Sequence, residues 1–279
     1  MDKIICITGA SSGIGLAAAH KFAREGWTVY AGTRHLERDR TKYEDESQLH
    51  WVELDVTDQE AVQSVADRIA AEHGALDVLF CNAGFGYVRG LGQVPFAEIE
   101  RVFQTNVYGV MHMIRAMLPL LRKNGNGHII ATSSVAGLVG QPLLEIYCAS
   151  KFALEGLLES LATYYKPLFN IDVTLLEPGA TASEFNNKVL DHLAATGGIL
   201  EDEYKPVADA FMAAFLQRIT EPQSPASVAE TVWNLVNMET KPLRLRTSEQ
   251  AERLAAHKVG DDPTGLEGVL QSRKNYLNL

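Results

Sequence analysis

Short apolar runs alternate with amphipathic stretches from the fourth residue onward, and no other feature of this chain limits its fold so strongly. The runs Ile4–Thr8, Thr28–Thr33, His50–Leu54, Val78–Cys81, His128–Ser133 and Asp172–Glu177 are rich in β-formers and bounded by turn residues. Helical patterns fill the gaps at Gly13–Arg24 and Glu60–Glu72, with a long one from Glu98 to Leu121 and another from Ile146 to Phe169. A helix over Ser227–Asn237 and a short strand at Leu243–Arg246 follow. Repeated βαβ units make a parallel sheet with helices on both faces, which is why the strands read as continuous apolar runs. The expectation is an α/β, doubly wound parallel sheet of about seven strands in a single domain over residues 1–279.

At 279 residues and 46% apolar content the chain can bury one large core, and no repeat or low-complexity linker divides it. The stretch 183–223 breaks the rhythm with Asn186-Asn187, Gly197-Gly198 and Glu201-Asp202-Glu203. Inserted after the sixth strand, it falls above the carboxyl ends of the strands, where open α/β sheets bind ligands. It reads either as a lid over a site or as a plain surface excursion.

A formal charge of −10 argues against a nucleic-acid surface, which needs a basic patch to neutralise phosphates. Met1-Asp2-Lys3 leads into an apolar run too short for a signal sequence, and no later run reaches the roughly 20 apolar residues that span a bilayer. Cys6, Cys81 and Cys148 are an odd number, with neither CxxC nor metal-ligand spacing. Reduced thiols, no metal and a cytoplasmic location are expected.

The first run leads through Thr8-Gly9-Ala10-Ser11-Ser12-Gly13-Ile14-Gly15 directly into a helix. Glycines between a first strand and a helix let the backbone approach a pyrophosphate, whose charge the helix N-terminus then meets. The spacing is GxxxGxG rather than the commoner GxGxxG, and the fold expected around it is of the Rossmann type. In such folds an acid after the second strand selects NAD, whereas an arginine accommodates a 2′-phosphate. Here the strand ends Gly32-Thr33-Arg34 without an acid, so NADP(H) is expected over NAD(H).

Tyr147 and Lys151 stand one helical turn apart, a phenol and an ammonium on one face. The tyrosine's reference pKa lies near 10, and the neighbouring cation favours its phenolate. Either Ser133 or Ser134 could bind a reacting oxygen.

Over Lys3 to Arg246 the chain resembles the short-chain dehydrogenase/reductase family. Thr8–Gly15 looks like its TGxxxGxG loop, Asn82-Ala83-Gly84 its NAG motif, Tyr147–Lys151 its YxxxK, and Pro178-Gly179 its PG motif. The resemblance adds Asn106 and selects Ser134, thirteen residues before Tyr147. It implies that Tyr147 is the general acid or base and that Ser134 hydrogen-bonds the same substrate oxygen. Lys151 lowers the tyrosine's pKa and binds the nicotinamide ribose, while Asn106 holds a water that links the lysine to solvent. Asp55 and Val56 resemble the adenine contact, although Asp55 also reads as the cap of the helix starting near Asp58. Thr181 and Ser183 match positions that meet the carboxamide, where the family often has threonine in place of Ser183. A homodimer or homotetramer through the helices around Asn106 and Lys151 is implied as well.

Apolar residues gather around the expected reaction centre, each reading either as pocket wall or as core: Phe85, Tyr87, Val135, Leu138, Leu143, Leu144 and Phe185. The wording around Asn82 and Thr33 is most similar to the branch with 17β-hydroxysteroid and retinol dehydrogenases, which implies a small hydrophobic ketone or secondary alcohol as substrate, with a steroid, retinoid or aryl ketone as examples. Phe85, Leu144 and Phe185 are the candidate contacts, with Ser134 and Tyr147 at the reacting oxygen. Glu145 reads as a polar handle on the substrate or as a helix-start carboxylate. Two rivals stand beside this expectation: an epimerase or dehydratase that shares YxxxK, and a non-catalytic NADPH sensor or scaffold on the same fold.

Overall fold

In the computed structural model, residues 3–42, 47–218 and 222–277 are described. Seven strands form one sheet: β1 (Ile4–Ile7), β2 (Thr28–Thr33), β3 (Leu49–Glu53), β4 (Val78–Cys81), β5 (Gly127–Thr132), β6 (Ile171–Glu177) and β7 (Arg244–Arg246). All neighbours are parallel and the order is β3-β2-β1-β4-β5-β6-β7. The chain therefore winds outward from β1 to β3, then returns to pair β4 on the other side of β1. Loops diverge at that switch point and leave a crevice above the carboxyl ends of β1 and β4.

Strand β1 shows why the runs are apolar throughout. Ile4 and Cys6 join a core with Met113, Ile129 and Leu158, while Ile5 and Ile7 join another with Phe22, Phe80 and Val232. The first core lies under α3 (Gln59–Glu72), α5 (Gly109–Asn124) and α6 (Glu145–Phe169), and the second under α1 (Gly13–Arg24) and α9 (Pro225–Asn237). Among the described residues no helix is long and apolar enough to cross a membrane.

Three features depart from the helix pattern. The helix expected from Glu98 to Leu121 is α4 (Phe96–Phe103), a π-helical turn at Gln104–Tyr108, and then α5. The wider turn falls on Asn106, a residue with poor helix propensity whose amide has other partners. A seven-residue α2 (Leu36–Lys42) follows β2, too short and charged to show apolar periodicity. The chain also continues past β7 into α10 (Glu249–Val259) and α11 (Leu266–Leu277).

The segment 183–223 carries α7 (Glu184–Ala195) and α8 (Lys205–Arg218), while its residues 219–221 lie outside the described ones. Phe185, Val189, Phe211 and Phe215 pack with Val88 and Leu143. The buried Arg89 guanidinium donates to the carbonyls of Gly198 (2.6 Å) and Thr196 (2.8 Å), which ties the end of α7 to the loop after β4.

Candidate active site

The glycine loop lies where β1 meets α1. Gly9 has φ +64°, and a Cβ on Gly15 would stand 2.4 Å from the Gly9 carbonyl oxygen and 2.5 Å from Asn82 Nδ2. Only a bare Cα fits there. Ser12 begins α1 without a side-chain cap, so the helix's first N–H groups are left to a ligand. The Thr8 hydroxyl accepts from the Asn82 and Ala83 N–H groups, both at 2.9 Å. Asn82 Nδ2 donates to the Thr8 (3.2 Å) and Gly9 (3.3 Å) carbonyls, and its Oδ1 accepts from the Thr132 hydroxyl at 3.2 Å. Asn82 thereby fixes the loop to β5.

At the end of β2, Arg34 is exposed on the cavity wall beside Thr33. Sequence inspection missed a nearby acid. The buried Asp39 carboxylate accepts from the Thr33 hydroxyl and, at 2.8 Å, from Arg38 Nε. It is committed to α2 and is not part of the cavity wall. Asp58 caps α3 by accepting from the Glu60 (2.9 Å) and Ala61 (3.2 Å) N–H groups. That role is therefore closed to Asp55, which accepts from Thr57 N (2.9 Å) and lines the cavity with Val56.

The chemistry-bearing side chains meet at the end of β5. Tyr147 and Lys151 are buried at 8% and 4% exposure, and Lys151 Nζ donates to the Thr132 carbonyl at 2.8 Å. The ammonium lies 5.7 Å from the centre of the tyrosine ring. The two serines separate cleanly: Ser134 hydrogen-bonds the Tyr147 phenol, whereas Ser133 donates to Glu155 Oε1 at 2.5 Å. Burial pushes the Tyr147 phenol up to about 12 against the opposing Ser134 hydrogen bond. It pushes Lys151 down to about 8 against the opposing charge of Glu155. At neutral pH the tyrosine holds its proton beside a charged lysine.

Asn106 is fully buried. Its Nδ2 donates to the Phe85 carbonyl (3.0 Å) and Ser150 Oγ (3.1 Å), and its Oδ1 accepts from Phe85 N at 3.1 Å. A Cβ on Gly84 would lie 3.1 Å from Asn106 Oδ1 and 3.5 Å from Lys151 Nζ, so the bare glycine leaves both polar atoms facing one gap. Asn106→Ala is expected to cost about 2 kcal/mol by orphaning these buried partners. Urea denaturation checks this, and an unchanged midpoint would contradict it.

These parts border one cavity of about 930 Å³. It reaches from Gly9, Ser11, Ser12, Gly13 and Ile14 past Thr33, Arg34, Asp55 and Val56, then over Asn82, Ala83 and Gly84 to Ser134, Tyr147 and Lys151. Pro178, Gly179, Thr181 and Ser183 border it as well, and Ser183 caps α7 by accepting from Phe185 N at 3.4 Å. Gly15 and Asn106 stand just behind the wall. Phe85, Val135, Leu144 and Phe185 line the far end, with the Phe185 ring 5.8 Å from that of Tyr147. Three of the apolar residues open between wall and core are core: Tyr87 packs with Val102 and Ile146, Leu138 with Ala255 and Val259, and Leu143 with Val88 and Phe211. Glu145 Oε1 accepts from Leu143 N at 3.2 Å, a helix-start contact rather than a place on the cavity wall. Gln250 and Leu254 of α10 line the cavity unforeseen, for no motif announced that helix.

The short chain dehydrogenase family matches residues 3–194, and the protein belongs to it as an oxidoreductase on a Rossmann-type fold. It is related to the branch of 17β-hydroxysteroid and retinol dehydrogenases. It is 36% identical to estradiol 17-beta-dehydrogenase 1 of Rattus norvegicus, covering 95% of this chain and 79% of that one. It is 35% identical to retinol dehydrogenase 8 of Bos taurus, covering 94% and 86%. A short-chain dehydrogenase structure from Streptomyces avermitilis superposes with TM-score 0.78 at 30% identity over 99% and 98% of the two chains. A Burkholderia phymatum family member in complex with NAD does so with TM-score 0.75 at 26% identity over 94% of each.

Proposed function

We propose that the protein is an NADP(H)-dependent reductase of hydrophobic ketones, reversible toward secondary alcohols, with Tyr147 as general acid. The observation that supports this most is the meeting of Ser134, Tyr147 and Lys151 on the floor of a cavity whose other end is a glycine loop and an uncapped helix. Gly9 to Gly15 hold a pyrophosphate, Asp55 and Val56 the adenine, and Lys151 the nicotinamide ribose. Asn82, Ala83 and Gly84 shape the floor, Pro178 and Gly179 border the cofactor, and Thr181 and Ser183 meet the carboxamide. A nicotinamide nucleotide bound there supplies the hydride. Ser134 and Tyr147 hold the carbonyl oxygen, and Tyr147 passes its proton to it as negative charge develops. Asn106 and Lys151 face the gap at Gly84, through which a water returns the proton.

Arg34 faces the 2′-phosphate. Arg34→Ala should weaken NADPH about tenfold or more, as expected for loss of a hydrogen bond to a charged group, and leave NADH nearly unchanged. Cofactor fluorescence titration reads both, and equal losses would reject the NADP(H) preference. The apolar far end, Phe85, Leu144 and Phe185, suits a steroid, retinoid or aryl ketone. The segment 183–223 is proposed to close over such a substrate as a lid. Exposed Tyr108 and Phe152, on the helices around Asn106 and Lys151, support a homodimer or homotetramer. The buried free thiols of Cys6, Cys81 and Cys148 accord with a single-domain cytoplasmic enzyme. A screen of steroid, retinoid, aryl and aliphatic carbonyls for NADPH consumption, with NADH as control, tests the substrate class. Turnover confined to the aliphatic compounds would reject it.

A further inference from the structure

The face of α6 that carries Tyr147 and Lys151 continues one turn further to Glu155, and each of the three side chains meets a successive residue at the end of β5. Lys151 bonds the Thr132 carbonyl, Glu155 the Ser133 hydroxyl, and Tyr147 the Ser134 hydroxyl. Glu155 is 5% exposed, and its second oxygen accepts from Arg244 Nε at 3.0 Å. We propose that Glu155 is a positioning residue of the active site, a third rung that clamps the strand end carrying Ser134 and holds the charge of Lys151 in place.

The charged groups facing Glu155 among the described residues come from three elements. They are Lys151 and Glu159 on α6, Arg244 on β7 and Glu177 on β6; Arg246 of β7 stands beyond, paired with Glu177 and, at 2.7 Å, with Glu252 of α10. Glu177 lies 3.7 Å from Arg244 Nε and 2.9 Å from Arg246 Nη1. Two buried carboxylates that share the Arg244 guanidinium do not both ionise freely. Burial, reinforced by the charge of Glu155, pushes Glu177 up to about 8, so Glu177 takes the proton. Burial raises Glu155 too, while the hydrogen bond from Ser133 and the ion pair with Arg244 at 3.0 Å favour its charged form. The charge of Glu155 in turn opposes the burial that lowers the Lys151 ammonium.

The test rests on the proposed contact of Lys151 with the cofactor ribose and uses NADPH as probe. In the wild type, NADPH affinity falls as pH rises through the lysine's pKa, about 8 in the free protein. Glu155→Gln keeps the shape and removes the charge, so the midpoint of that fall should move roughly one pH unit lower. Glu155→Asp, which keeps the charge, should restore it. Glu159→Gln also weakens the Arg244 pairing but does not touch Ser133, and should leave the midpoint in place. A Glu155→Gln midpoint equal to wild type overturns the proposal, as does an equal shift in Glu159→Gln, which would show general loosening. If Glu155→Gln does not fold, the comparison of Glu155→Asp and Ser133→Ala decides. Ser133→Ala removes a hydrogen bond that favours the anion and should lower the midpoint, whereas Glu155→Asp should keep it; a midpoint unchanged in Ser133→Ala, or lowered as far in Glu155→Asp, overturns the proposal. Lys151→Ala binding NADPH as tightly as wild type would instead bring down the underlying ribose contact, and the proposal with it.

Discussion

Replacing Tyr147 with phenylalanine is expected to cut turnover by about 10²- to 10⁴-fold, the usual contribution of a positioned proton donor. NADPH binding should be nearly untouched. The substitution removes one oxygen from a buried ring that also packs against Phe185 and Ala136, so the wall of the cavity keeps its shape. The lost hydroxyl is bonded to Ser134, which is left with its contact to Ala136 N at 3.1 Å. The pH profile gives a second view of the same group. The phenol is pushed up to about 12 and the lysine down to about 8, so Tyr147 is neutral and Lys151 charged below pH 8. Reduction should therefore be level near neutrality and decline as pH rises past about 8, when the ammonium is lost. A Tyr147→Phe enzyme with near wild-type kcat would remove the assigned role.

Gly15→Ala is expected to weaken cofactor binding severely, for a different physical reason. The new methyl would stand 2.4 Å from the Gly9 carbonyl oxygen and 2.5 Å from Asn82 Nδ2. Neither can yield cheaply, because Asn82 is bonded to Thr8, Gly9 and Thr132. The loop must move as a unit, and its backbone leaves the position from which it approaches a pyrophosphate. A loss on the order of a hundredfold in NADPH affinity, equivalent to about 2.7 kcal/mol, is expected. Overpacking should also lower stability by about 1–3 kcal/mol. Titration calorimetry and urea denaturation read the two effects separately, and a Gly15→Ala protein with wild-type affinity would contradict the close approach.

The sheet was legible in the sequence because both its faces are buried, so each strand announces itself as an apolar run between turn residues. The elements that escaped notice lack that signal. Helix α2 is short and charged, and is held in place by the Thr33–Asp39 hydrogen bond, between residues whose pairing no periodicity predicts. The π-helical turn shares the apolar spacing of the helices on either side, and only Asn106 in its midst hinted at a defect. For the site, the residues with fixed spacing, Gly9 to Gly15, Asn82 to Gly84, Tyr147 and Lys151, were readable as motifs. Leu138, Leu143 and Tyr87 stayed open between cavity wall and core, because hydrophobicity alone does not say which side of a wall a side chain faces. Gln250 and Leu254 went unseen because they reach the cavity from a helix more than a hundred positions beyond Asn106 in the chain.

The central claim is that this cavity reduces a carbonyl by hydride transfer with Tyr147 giving the proton. Its most direct test is reduction of the best carbonyl substrate with NADPH deuterated at the transferring position of the nicotinamide, followed by mass spectrometry of the product alcohol. The account predicts deuterium at the carbinol carbon with the wild-type protein and almost no product with Tyr147→Phe. A labelled cofactor that binds while no carbonyl substrate acquires deuterium, or labelled product formed equally well by both proteins, would contradict it.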